Sequence, residues 1–298
     1  MNLSSWPQCR LLFTVISGLI ADSLIGCSGM VKNDRRREAW ALDASVVQNE
    51  DLFWFVMNKF SSVFGSDVMS AQAVTLYNDP GARCPMNVLD PASIRLAMPS
   101  GMNFWSQFVY QLSHELTHYA IRQRNQAGGI GVRWFEETIC EAMALWGLRV
   151  VCDDWRRSPY FDRPIYQFQM RKYLEDELRD NASGDLTPFH DVSSIDELVE
   201  LDRLAEGEPG DPLGAMHQRD RRARERVALY DLLMRRRSDI KVLLDYTRHI
   251  QPVPSGARDP LFIDFVEWQR NDVAHQDFIR ELGGIMELPG LTVDSSEV

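Results

Sequence analysis

His114, Glu115 and His118 stand in the stretch "QLSHELTHYA" (Gln111–Ala120) in the pattern H-E-x-x-H. On a helix, residues four apart lie one above the other on one face. Two imidazoles so placed can offer nitrogen to a single ion. Zinc takes imidazole nitrogen at about 2.0–2.1 Å, and a catalytic zinc keeps one position for water. Glu115 sits about 100° round the helix from His114. From there a carboxylate can reach a metal-bound water, whose pKa falls towards about 7, and take its proton without being a ligand. By residue frequencies alone the motif arises in about one chain in a hundred of this length, so a third ligand must decide.

A histidine six residues past the second one, with glycine at the third, is one solution, but those positions hold Arg124 and Ile121. A glutamate on a following helix is another. Glu137 comes 19 positions after His118, behind the glycine-rich reversal "NQAGGIGV", and Glu141 lies one turn further on. The adjacent Glu136 competes for the role. Glu137, Glu141, Ala144 and Leu148 share one helix face, while Glu136 aligns with Cys140 and Gly147, which favours Glu137. Cys140 then points away from the Glu137 face and is expected in core packing or a disulfide.

H-E-x-x-H, 18 residues, then Glu resembles the gluzincin metallopeptidases, especially their aminopeptidase-type branch. The resemblance covers residues 94–148 or so. It implies one zinc ion held by His114, His118 and Glu137, with Glu115 as general base and Glu141 orienting a ligand histidine. The Trp134-x-x-Glu137 arrangement is similar to the aminopeptidase type too. Thr138 stands where those members usually have Gly, and their G-x-M-E-N exopeptidase motif is missing, so aminopeptidase specificity does not follow. The implied fold is α+β and mostly α: a zincin-like domain with a small sheet, an active-site helix and a glutamate helix, then a helical C-terminal part. By the same analogy "SIRLAMPSG" is an edge strand above the metal, able to pair with an extended peptide or protein substrate. Tyr160, Tyr166, Tyr230, Tyr246, His217 and His249 are all eligible to stabilise an oxyanion.

The elements that position these residues can be read from periodicity. "NEDLFWFVMNKFSSVFG" has helical spacing and a stop at Gly65, and "AVTLYND" and "SIRLAMPSG" alternate as strands. The loop "PGARCPMNVLDP" separates them. A helix from about Asn103 carries the motif, with Trp105, Phe108, Val109, Leu112, Leu116, Tyr119 and Ala120 as its apolar side. A second opens at "RWFEETICEAMALWGL". Beyond Val151 the pattern is helical almost throughout, including "RERVALYDLLMRRRSDIKVLLDYTRHI", with a linker at Glu206–Gly214. The basic run "RDRRARER" reads as a solvated helix face.

The chain has 298 residues and a net charge of −11, which argues against a nucleic-acid surface. Leu11–Ile20 is a ten-residue apolar run, short for a bilayer span and right for a signal-peptide core. Leu24-Ile25-Gly26-Cys27 resembles the lipobox of bacterial lipoproteins, although Asp22 departs from the pattern. It implies cleavage before Cys27, lipidation of its thiol, and a periplasm-facing anchor in the cell envelope, at the outer more than the inner membrane. The expected organisation is a signal peptide at 1–26, a tether at 27–46, a catalytic core at 47–152 and a helical subdomain at 153–298. Of the five cysteines (Cys9, Cys27, Cys84, Cys140 and Cys152) none has C-x-x-C spacing. The competing class is a membrane-anchored, non-catalytic metal-binding protein.

Overall fold

Residues 35–82, 85–89, 92–99, 104–125, 131–179, 189–205, 220–253, 256–289 and 291 are described by a computed structural model. The expected signal peptide, Cys27, the first part of the expected tether, Cys84, His217 and the linker at Glu206–Gly214 lie outside them.

The apolar periodicity after Asn49 builds helix α2 (Glu50–Phe64), whose Leu52, Phe53, Val56, Met57 and Phe60 are fully buried. Gly65 ends it at φ +100°, a conformation that favours glycine. Helix α1 (Arg35–Ala39) and strand β1 (Trp40–Leu42) precede it. Both fall in the expected tether, so residues 35–42 belong to the folded body instead. Trp40 is the reason: its indole NH donates to Met69 O at 2.8 Å and its ring packs against Phe53 and Tyr119.

The two alternating stretches form β2 (Val74–Asn78) and β4 (Ala92–Leu96), and β3 (Met86–Leu89) arises inside the expected loop. The sheet order is β1-β2-β4-β3. β1, β2 and β4 are parallel, and β3 runs antiparallel to β4. This corrects the expected edge strand: β4 is paired on both sides, and β3 holds the edge. Chains mostly helical with one small sheet are α+β, as the sequence predicts.

Helices α3 (Trp105–Arg124) and α4 (Arg133–Asp153) pack together more extensively than any other pair of described elements. They run antiparallel, since Ser113 meets Gly147 while His118 meets Glu136. Gly147 sets the closest approach. A Cβ there would lie 2.2 Å from Ser113 Oγ, so only glycine lets the backbones come this near.

Next come α5 (Pro164–Arg179), α6 (Ile195–Ala205), α7 (Ala223–Arg235), α8 (Phe265–Asn271) and α9 (Gln276–Met286). The expected helix through Ile250 breaks at Arg236 (φ −118°), and Arg237–His249 winds as successive 3-10 turns. Ile240, Leu243, Tyr246 and His249 are buried at three-residue spacing, the period of that winding. One hydrophobic core runs from Phe53 and Ile94 through Phe108 and Phe135 to Leu229, Tyr246 and Trp268, on both sides of residue 152. No described helix is long and apolar enough to cross a membrane.

Candidate metal centre

Gln111, His114 and His118 lie three and seven positions apart and therefore share one face of α3. Gln111 fixes that face to the sheet. Its Oε1 accepts from Ala97 N at 2.9 Å and its Nε2 donates to Ala97 O at 3.2 Å, just past the end of β4. The two histidines follow along the helix with ring centroids 4.9 Å apart. Their Nε2 atoms are 3.2 Å apart.

Glu137, from α4, closes this pair. Its Oε2 is 3.4 Å from His114 Nε2 and its Oε1 is 3.3 Å from His118 Nε2. A tetrahedral ion with bonds of about 2.0–2.1 Å spaces its ligand atoms about 3.3–3.4 Å apart. The three side chains predicted as ligands are thus arranged at that spacing. Cys140 is a further donor: one atom each from His114, His118 and Cys140 fall within 4.8 Å of one another, a group that could hold a metal ion.

Cys140 corrects the sequence reading. It is a free, fully buried thiol whose sulfur lies within 4.8 Å of the ligand atoms of both histidines, not turned away from the site. Glu136 reaches the same histidine from the same side, with Oε1 2.7 Å from His118 Nδ1, and its other oxygen accepts from Tyr246 Oη. The face of α4 holding Glu136, Cys140 and Gly147 is the one laid against α3. The glycine was the available signal, because a glycine inside a helix marks a close backbone approach.

Each histidine also has a carboxylate beside Nδ1. Glu136 serves His118, and Glu141 Oε1 lies 3.9 Å from His114 Nδ1. Such partners fix the ring orientation of a metal-bound histidine. Glu141 is held in turn by Tyr110 Oη and by Arg226 Nη1, the latter at 3.5 Å. Tyr246 is committed to Glu136, and Tyr160 and Tyr166 pack on Trp105 with centroids 4.2 and 4.1 Å away. His249 stacks on Trp268. Glu115 is buried at 2% exposure. Burial lifts its pKa above the usual 4.5, against the pull of His114 and His118.

Without metal the cluster is a set of ion pairs. Burial opposes charge on His118, but Cys140 and Glu137 nearby, with hydrogen bonds to Cys140 and Glu136, raise its pKa well above 6.5. Burial opposes charge on His114 too, and Glu137 outweighs it, so that pKa also rises from 6.5. Burial raises the Glu137 pKa, and the two histidines more than offset it, leaving it well below 4.5. A histidine pKa raised by folding stabilises the fold below 6.5 and loses that contribution as pH rises through the folded value. The lowered Glu137 pKa stabilises above 4.5 and is lost as pH falls through the folded value. The metal-free protein should therefore melt at a falling temperature as pH rises above 6.5 through the raised histidine pKa values. Zinc needs neutral imidazoles, so its stabilising shift should grow over the same window. Calorimetry in chelator and in zinc checks both, and a chelated melting temperature that is flat or rising with pH would contradict the ion-pair account.

Comparison with protein-family models, curated proteins and solved structures finds no match.

Proposed function

We propose that this chain is a zinc-dependent metallopeptidase. The observation that carries the reading is the three-way approach of His114 Nε2, His118 Nε2 and the Glu137 carboxylate at 3.2–3.4 Å. These residues would hold the ion, and a bound zinc would acidify water and polarise a carbonyl. Glu115 takes the proton of the attacking water and later passes it to the leaving amine. Its raised pKa suits both transfers. Glu136 and Glu141 hold the imidazoles in register. The edge strand β3 packs against α3. Its free side, among the described strands, is where an extended peptide adds by backbone hydrogen bonds.

Cys140 favours a second reading. If its thiolate joins both histidines and Glu137, four protein ligands close the site and leave no place for water, as in structural zinc centres. The protein would then bind metal without catalysing hydrolysis.

The test is metal analysis of the purified chain followed by digestion of a peptide library with and without chelator. One zinc per chain and chelator-sensitive cleavage are expected. Stoichiometric zinc with no cleavage selects the closed centre, and no bound metal rejects both readings.

A further inference from the structure

Two arginines of "RDRRARER" are not on a solvated face. Arg222 and Arg226 are 4% and 3% exposed. They lie one turn apart at the start of α7, the helix that packs along α4. Arg226 has partners: Glu141 Oε2 at 3.5 Å and Glu177 O at 3.4 Å. Arg222 has none. Among the described residues no group accepts a hydrogen bond from its guanidinium or forms a close ion pair with it, and its Nε is sealed from solvent.

Its position follows from the helix pairing. Arg226 meets Glu141, and Tyr230, one turn on, feels the charges of Arg149 and Asp153, so α7 and α4 run in the same direction. Arg222, one turn back, is then level with Glu137. Burial pushes its pKa down, and Glu137 followed by Glu141 are the charges that most hold it up. A buried cation without a hydrogen-bonded counter-charge is costly. Under the metallopeptidase reading Glu137 is claimed by the ion, and Glu141 already accepts from Tyr110 and Arg226. Two positive centres then adjoin, and the remaining anion near Arg222 is the buried Glu225, which makes no hydrogen bond to it and lies 3.4 Å from His190 Nδ1.

We infer that Arg222 is a specificity-determining residue that binds a carboxylate of the substrate beside the metal centre. Guanidinium meets carboxylate with two parallel hydrogen bonds, which fixes direction as well as charge. This inference rests on the metallopeptidase reading. The carboxylate comes either from a peptide C-terminus or from an Asp or Glu side chain.

Three blocked peptides tell these apart: N-acetyl-trialanine as the free acid, its C-terminal amide, and the amide with one Ala replaced by Glu. Calorimetric titration into the zinc-loaded Glu115→Gln chain measures binding without turnover. One of the acidic peptides is expected to bind about tenfold or more tighter than the plain amide. Which one does so identifies the source. The gain should vanish in Arg222→Gln and survive in part in Arg222→Lys, which keeps the charge but not the fork. Equal binding of all three peptides overturns the inference, and this comparison needs no Arg222 variant to fold. A gain that persists undiminished in a folded Arg222→Gln chain also overturns it. Titrating the metal-free chain separates the two readings. Acid preference there, with no cleavage by the zinc-loaded wild type, sinks the peptidase and keeps the Arg222 site. Cleavage without acid preference does the reverse.

Discussion

Under the proposed function, Glu115→Gln should still bind zinc, lose hydrolysis and lose no stability. A positioned general base contributes about 10²–10⁴-fold, so kcat should fall by that factor, or about 2.7–5.4 kcal/mol in the barrier. The amide has the shape of the carboxylate and cannot take a proton. It leaves the proposed ligands His114, His118 and Glu137 untouched, so metal content should match the wild type. The stability arm follows from linkage. Burial raises the Glu115 pKa above 4.5 in the folded chain. An acid whose pKa folding raises binds more protons folded than unfolded, and its charged form opposes folding once pH passes 4.5. At neutral pH a neutral glutamine removes that opposition. The melting temperature of the variant should equal or exceed that of the wild type. A buried carboxylate kept at a cost to the fold is what a catalytic group looks like, whereas a purely structural glutamate would lower the melting temperature when replaced. Retained activity, or a variant stripped of zinc, would remove Glu115 from the mechanism.

The sequence exposes the part of this site that obeys helical periodicity. His114 and His118 on one face, Glu137 and Glu141 on another, and the reversal between them are all visible in spacing, and the structure brings the four together. What spacing hides is the third dimension of the helix pair. Glu136 and Glu137 lie about 100° apart on α4, and a face argument keeps one and discards the other. Both reach the histidines because Gly147 lets α3 sink close to α4, so that His118 sits between two faces. Cys140 enters by the same route. The strands divide likewise. β2 alternates in burial and β4 keeps the alternating Ile94 and Leu96 buried, so alternation in the sequence finds both. β1 spans three residues and β3 four, too short for a pattern, and they are strands only because a neighbour pairs with them. The arginines at 222 and 226 were hidden by composition. In a run of charges, sequence does not show which side chains turn inward against α4.

Exchanging the acidic and thiol partners one at a time decides between an open and a closed centre. Glu137→Gln should reduce zinc affinity by about a hundredfold or more, since it removes a charged ligand that contacts both rings. Glu136→Gln should cost about 10–100-fold, the usual effect of an orienting partner, because the amide still meets His118 Nδ1 without its charge. Cys140→Ser should leave affinity within a few-fold, since the open centre does not count it among its ligands. Equilibrium competition with a chelator measures all three. The ordering carries the argument, because every variant removes one group from the same cluster and general destabilisation would not rank them this way. The thiol has a clear reason to stay out of the resting protein's chemistry: burial lifts its pKa to about 12, against the pull of His118. A metal can still claim it by displacing the proton. If Cys140→Ser loses zinc as badly as Glu137→Gln, the thiolate is a ligand, the fourth position is filled, and no water stands where Glu115 could activate it.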